Sequence, residues 1–148
     1  WAKYPTLGRR SYSGGAHTGY GPSGNHQQNM ERANASVLAI AQIETVEGVR
    51  NCDEILSVEG LDAAIIGPCD LAISMGEPDN VGCDEELALI DAVQDACKKH
   101  GKGFGIIGGN ALLARYANDI NLMVSAIDAH ILRDSFAAAV DDYRKIGE

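Results

Sequence analysis

The sequence predicts an α/β fold built on parallel strands. Beyond residue 36, short apolar runs recur at residues 37–43, 63–66, 103–107 and 122–126. Each is followed by a segment with apolar residues at helical spacing, which makes four βα units in series. The runs are apolar on both faces, which suits strands covered by helices better than an open antiparallel sheet with one wet face. Periodicity leaves open whether the sheet is doubly wound or half of a barrel.

The elements follow in order. Residues 5–25 hold Gly8, Gly14, Gly15, Gly19, Gly21 and Gly24, two prolines and almost no aliphatic residue, so they read as a long loop. Asn25 offers an N-cap, with Gln28 at the reciprocal position, for a short helix ending near Ala33. Thr45 can cap a short turn, and Asn51 with Glu54 marks a second start before Ile55 and Leu56, with Gly60 as the stop. The clearest helix covers residues 84–100. Leu87, Ile90, Val93 and Cys97 share its face, acids occupy its first turn, and Lys98, Lys99 and His100 complement the dipole ahead of Gly101. Asn110 is expected to cap a stretch with Leu112, Leu113 and Tyr116. Asp128 opens a final helix where Leu132, Phe136, Ala139, Val140 and Tyr143 share a face. The expected organisation is one partial domain over residues 1–148, with a loop and short helix to residue 35 and the βα units from 36.

Bulk properties exclude several functions. With 21 acidic and 12 basic residues the net charge is −9, which repels a phosphate backbone, so nucleic acid is not an expected partner. No apolar run approaches the roughly 20 residues that span a bilayer, so no membrane association is expected. Cys52, Cys69, Cys83 and Cys97 are widely spaced, without a zinc or disulfide pattern, and fit a reducing cytoplasm. Cys52 and Cys97 fall on apolar helix faces. Trp1-Ala2-Lys3-Tyr4-Pro5 lacks the features of a secretory signal and an initiator Met, so a cytoplasmic chain beginning within a longer protein is expected.

In parallel α/β folds, ligands bind at the carboxyl ends of strands. Gln42 and Glu44 close the first run and project from one face, because strand side chains alternate. The second run ends in Gly67-Pro68-Cys69-Asp70. Neighbouring strands lie about 4.8 Å apart. Carboxylates at their tips can then share a hard cation such as Mg²⁺ or Mn²⁺, whose other positions go to water or substrate oxygens. A competing reading has Asp70 merely capping a helix over residues 71–75.

These residues carry a resemblance. Gln42-Ile43-Glu44-Thr45-Val46-Glu47-Gly48, Asn51-Cys52-Asp53-Glu54-Ile55, Val58-Glu59-Gly60-Leu61-Asp62 and Ile66-Gly67-Pro68-Cys69-Asp70-Leu71 resemble the signature of the HpcH/HpaI class II aldolases. Tyr4-Pro5 with Gly8-Arg9-Arg10 is similar to that family's Tyr-Pro-Pro-x-Gly-x-Arg loop. The likeness is strong from Ala41 to Gly76 and weak after Gly105. It implies the C-terminal half of a (β/α)8 TIM barrel, with the first four βα units ahead of Trp1. It also implies a metal-dependent lyase that cleaves or forms 4-hydroxy-2-keto acids through a metal-stabilised pyruvate enolate. Glu44 and Asp70 would be the metal ligands, for Mg²⁺, Mn²⁺ or Co²⁺. Gln42 would lie beside the substrate, and the backbone amides of Cys69 and Asp70 would receive the keto acid's carboxylate. Cys69 stands where the family has a small residue, a tolerable change if backbone N–H binds. The implied partners are pyruvate and an aldehyde, in a homo-oligomer (trimer or hexamer). The implied proton-relay His and substrate-clamping Arg match nothing in this sequence.

Other features read as structural. Lys98, Lys99, Lys102 and Lys145 fall on helix ends or loops, and metal chemistry requires no Schiff-base lysine. His17, His26, His100 and His130 read as surface or packing residues. Gly19-Tyr20-Gly21-Pro22-Ser23-Gly24 formally fits a dinucleotide motif but lacks a preceding strand, so it reads as a loop. Gly108-Gly109 reads as a tight turn rather than an anion site, and Ser125-Ala126-Ile127-Asp128 departs from the family's Gly-Ser-Asp. Two alternatives remain: an acyl-CoA lyase of the citrate-lyase β or malyl-CoA type, and a non-catalytic barrel fragment. The open outer strands of a half barrel predict association with another chain.

Overall fold

The computed structural model describes residues 1–16, 20 and 24–146. Its elements are α1 (His26–Ser36), β1 (Ile40–Ile43), α2 (Val46–Arg50), α3 (Cys52–Ser57), β2 (Ala63–Ile66), α4 (Pro68–Met75), α5 (Asp84–His100), β3 (Gly103–Ile107), α6 (Asn110–Arg115), β4 (Leu122–Val124) and α7 (Asp128–Arg144). The strands form one parallel sheet in the order β1-β2-β3-β4. A doubly wound sheet reverses its order at a switch point. This one does not, and right-handed crossovers running always the same way place their helices on a single face, as in a barrel wall.

The register separates the faces. Ile43, Ile66, Ile106 and Met123 form one lateral row. With Ala64 and Phe104, the first three enter the core against Val49, Leu56, Leu71, Ile90 and Val93 from the helices. The opposite face carries Gln42 in a row with Ile65, Gly105 and Leu122, and alternation brings Glu44 to the same side. Helix α5 is the hub, packed on α2, α3, α4, β2 and β3. Cys52 and Cys97 are buried there, and burial pushes both thiols up from their usual range, which suits packing rather than nucleophilic chemistry.

Most caps follow the sequence. Asn25 accepts from Gln28 N–H (3.1 Å), although α1 runs past Ala33 to Ser36, and Thr45 accepts from Gly48 N–H (3.0 Å). Gly101 ends α5 with φ 63°. Asn51 precedes α3 without a side-chain cap bond, and Asn110 is not a cap but the first residue of α6, after Gly109. The outer strands are shorter than their apolar runs: β1 starts at Ile40 rather than Val37, and β4 stops at Val124 rather than Ala126. Each pairs with a single neighbour, and ladder hydrogen bonds can extend only as far as that neighbour does.

The described part of residues 5–25 contains no α-helix or β-strand, and Tyr4 anchors this N-terminal segment. Its ring is buried beside Tyr12 and under the Arg10 guanidinium, while its backbone exchanges hydrogen bonds with the Asn34 side chain (2.7 and 3.2 Å). His17 and most of the glycine motif, Gly19, Gly21, Pro22 and Ser23, lie outside the described residues.

The last helix differs from expectation in its packing. Leu132, Phe136, Val140 and Tyr143 do share a stripe, but α7 has no buried residue, and Phe136 is 70% exposed. Met123, on the helix side of β4, is left 61% exposed as well.

Tyr116, just after α6, packs edge-on to Phe104 and donates its hydroxyl to Asp91 (2.7 Å). Burial, reinforced by the Asp91 hydrogen bond, pushes its pKa up to about 12. An unfolded tyrosine releases its proton near pH 10. Between those values the folded chain holds the extra proton, so this contribution is complete below about pH 10 and lost as pH rises towards about 12. Denaturant titrations at pH 9, 10 and 11 should show stability falling for the wild type, and Tyr116→Phe should lack that component.

Candidate active site

The carboxyl ends of β1 and β2 meet at Gly67. Gly67 N–H donates to the Ile43 carbonyl (3.3 Å), which carries the β1–β2 pairing one step beyond the strands. Glu44 then lies directly against Gly67. A Cβ on residue 67 would stand 2.9 Å from Glu44 Oε2 and 3.2 Å from Gln42 Nε2, so the missing side chain is what admits both groups. Gln42 Nε2 donates to Glu44 Oε2 in a short hydrogen bond, which orients the carboxylate and leaves Glu44 Oε1 for another partner.

Gly67 is also the N-cap of α4, and Pro68 occupies the first turn, where its lack of an N–H costs nothing. Asp70 is therefore a first-turn residue of a helix beginning at Pro68, not the cap of one beginning at Leu71, and α4 has no side-chain cap bond. Its exposed carboxylate forms no ion pair among the described residues, and neither does that of Glu44. Leu71 and Ala72 are buried behind it and fix the helix start. The N–H groups of Cys69 and Asp70 belong to the turn whose donors lack intrahelical acceptors.

Gln42, Cys69 and Asp70 line a pocket of about 730 Å³. Several other contributors are not evident in the sequence. Gly108 and Gly109 line it from the end of β3, and Asn110, Leu112 and Arg115 follow from α6. Val81 and Gly82 complete it from the α4–α5 connection. Arg115 is engaged with Asp91 (3.0 Å) and lies over the Tyr116 ring.

Among the described residues, lysines and histidines lie elsewhere. Lys98 pairs with Asp119 (3.2 Å), Lys102 donates to the Leu61 carbonyl (2.7 Å), and Lys145 lies by Asp142 (3.4 Å). Lys99 and His100 both hydrogen-bond Asp53 and hold its carboxyl below the usual range. His26 meets the Tyr12 ring, and His130 is exposed on α7.

Carboxylate oxygens are the donor type that a hard divalent cation takes. Glu44 follows β1 and Asp70 lies in the first turn of α4, and no cluster of three or more His, Cys, Asp or Glu ligands occurs among the described residues. Such a pair is typical of Mg²⁺-type sites completed by water or substrate oxygens, rather than of an all-protein cage.

Known structures share this architecture. A HpcH/HpaI aldolase from Desulfitobacterium hafniense superposes with TM-score 0.78 at 27% identity, covering 97% of this chain and 56% of that one. A HpcH/HpaI aldolase/citrate lyase family protein from Burkholderia cenocepacia gives 0.77 at 26%, covering 97% and 58%. A 2-keto-3-deoxy-L-rhamnonate aldolase from Salmonella schwarzengrund is 29% identical over 146 residues, 97% of this chain and 54% of the relative. The chain thus spans about half the length of the relatives it matches, and its four βα units correspond to about half of an aldolase barrel. The model of the HpcH/HpaI aldolase/citrate lyase family matches residues 9–120, and with the fold and strand-end residues above this establishes that the chain belongs to that family.

Proposed function

We propose that this chain is the metal-binding part of a carbon–carbon lyase that cleaves or forms 4-hydroxy-2-keto acids, with Glu44 and Asp70 holding Mg²⁺, Mn²⁺ or Co²⁺. The observation that carries the reading is the Glu44 carboxylate resting on Gly67, at the head of the helix that bears Asp70. A cation bound there supplies Lewis acidity, which stabilises negative charge developing on a keto oxygen. The remaining roles belong to the chain. Gln42 orients Glu44 and extends into the pocket beside the keto acid. The first-turn amides of Cys69 and Asp70 receive the keto acid's carboxylate, favoured by the positive end of α4. No lysine lines the pocket among the described residues, which favours metal over Schiff-base chemistry.

Pyruvate and an aldehyde are the small-molecule partners in this reading. Association with another chain is supported by the outer edges of β1 and β4, which have no strand neighbour among the described residues, and the family resemblance implies a trimer or hexamer. A cytoplasmic setting is supported by four free cysteines. No helix among the described residues is long and apolar enough to cross a membrane.

The reading is tested by incubating the chain with a 4-hydroxy-2-keto acid and following pyruvate. Release in Mn²⁺, its loss on chelation and its return on Mn²⁺ addition are expected. Release unaffected by chelation, or none under any of these conditions, refutes the metal-dependent assignment.

A further inference from the structure

One wall of the pocket is built by a segment that the proposed chemistry does not use. Between α4 and α5 the chain turns twice, with Asn80 N–H donating to the Glu77 carbonyl (3.0 Å) and Cys83 N–H to the Asn80 carbonyl (3.1 Å). Val81 and Gly82 reach the pocket from this segment, where Leu87, Ile107 and Leu112 also line it. Val81 is half-exposed, so its own contacts hold it weakly.

Glu86 fixes this segment. It is fully buried in the first turn of α5, its Oε2 accepts the Gly82 N–H, and its Oε1 has no hydrogen-bond partner among the described residues. A buried carboxyl with an unsatisfied oxygen is destabilising, and an apolar residue of the same size would avoid that cost. Nor does Glu86 complete an ordinary capping box, in which it would accept from the N-cap Cys83, because the Cys83 N–H is already bonded to Asn80. Its carboxylate reaches one residue further, to Gly82, which sits at φ 86° in the left-handed region. The group therefore holds the pocket wall in place rather than the helix end.

We propose that Glu86 is a positioning residue that pins Val81 and Gly82 as an apolar wall, and that this wall makes the enzyme prefer acceptor aldehydes with an aliphatic chain over polyhydroxylated ones. The inference rests on the lyase reading above. In the addition direction, pyruvate C3 loses a proton and bonds to the aldehyde carbon, whose oxygen gains a proton, so no further reactant is needed. Of the polar side chains that line the pocket from α6, Arg115 is already engaged with Asp91 and Asn110 stands at the helix start, whereas the side chains of Val81, Leu87, Ile107 and Leu112 offer an aldehyde hydroxyl no hydrogen-bond partner to replace water. Each methylene buried there is worth about fourfold in binding.

The test compares the full wild-type chain with Glu86→Gln, Glu86→Met and Val81→Ser. Amide hydrogen exchange is read at residues 80–83 without ligand, and pyruvate addition to butanal and to glyceraldehyde is read with Mn²⁺. The wild type should prefer butanal by about tenfold in kcat/KM. Glu86→Gln, which keeps an acceptor oxygen, should retain both the preference and the slow exchange. Glu86→Met should speed exchange by at least about tenfold and cut the preference at least about fivefold. Val81→Ser, at an exposed position that the fold does not depend on, should cut the preference even if Glu86→Met unfolds the chain. Addition to both aldehydes without preference, or a preference unchanged in both Val81→Ser and Glu86→Met, overturns the wall while leaving the lyase intact. Addition to neither aldehyde by the wild type overturns the lyase reading, and the specificity inference with it.

Discussion

Glu44→Gln and Asp70→Asn should each weaken Mn²⁺ binding by at least about 100-fold, measured by calorimetric titration with pyruvate present. Outer-shell groups around metals commonly contribute 10- to 100-fold, and a lost anionic ligand should do no less. The geometry makes the comparison clean. At position 44 a glutamine keeps an acceptor oxygen for Gln42 Nε2, so the local hydrogen bond survives the loss of charge. Asp70 is exposed and caps nothing, so Asn there forfeits only its interaction with the α4 dipole, roughly 0.3–1 kcal/mol. Melting temperatures should therefore change little while affinity collapses. Wild-type affinity in both variants would remove these side chains from the metal site.

Ile90→Ala should destabilise the chain by about 2–5 kcal/mol in chemical denaturation, a large part of the roughly 5–15 kcal/mol typical of a domain. Ile90 has no exposed surface and lies in the middle of α5, which touches three helices and two strands, so the cavity has no easy way to collapse. Phe136→Ala on α7 is the contrasting case. It removes a larger side chain at the same kind of amphipathic position, yet in the monomeric chain the cost should stay within about 0.5 kcal/mol. The difference comes from what covers each helix. A loss above about 2 kcal/mol for Phe136→Ala in the monomer would show that α7 packs on the chain in solution.

That contrast marks a limit of sequence reasoning. Both helices display their apolar stripes in the sequence, with α5 and α7 starting at the expected Asp84 and Asp128. A stripe states that a face can be buried, not what buries it. The central strands β2 and β3 match their apolar runs because each is paired on both sides, whereas β1 and β4 are trimmed by neighbours the local pattern does not reveal. Around the proposed site, the placement of Gln42 and Glu44 on one face at the end of β1, and of Asp70 just past β2, was legible because side-chain alternation and the Gly-Pro break fix it. Gly67-Pro68 is itself a helix-start signal, which argues against Asp70 as the cap from the sequence alone. Val81, Gly82 and Arg115 were not legible, because a connection and a helix end reach the pocket only once the strand order is known. Glu86 was hidden among Asp84 and Glu85, where a third acid reads as dipole compensation, and nothing local distinguishes a buried carboxylate from its solvated neighbours.

The unreversed strand order has one further consequence. The outermost strands expose N–H and C=O groups along both margins, and a single set of parallel strands bridging those margins would turn the wall into a closed cylinder. Gln42 and Glu44 project from the face that would then be the interior. Water would be thinned there and the local dielectric lowered, so the same two negative charges would attract a cation more strongly than they do at an open surface. Ring closure, on this view, tunes the electrostatics of the strand ends without altering a single side chain.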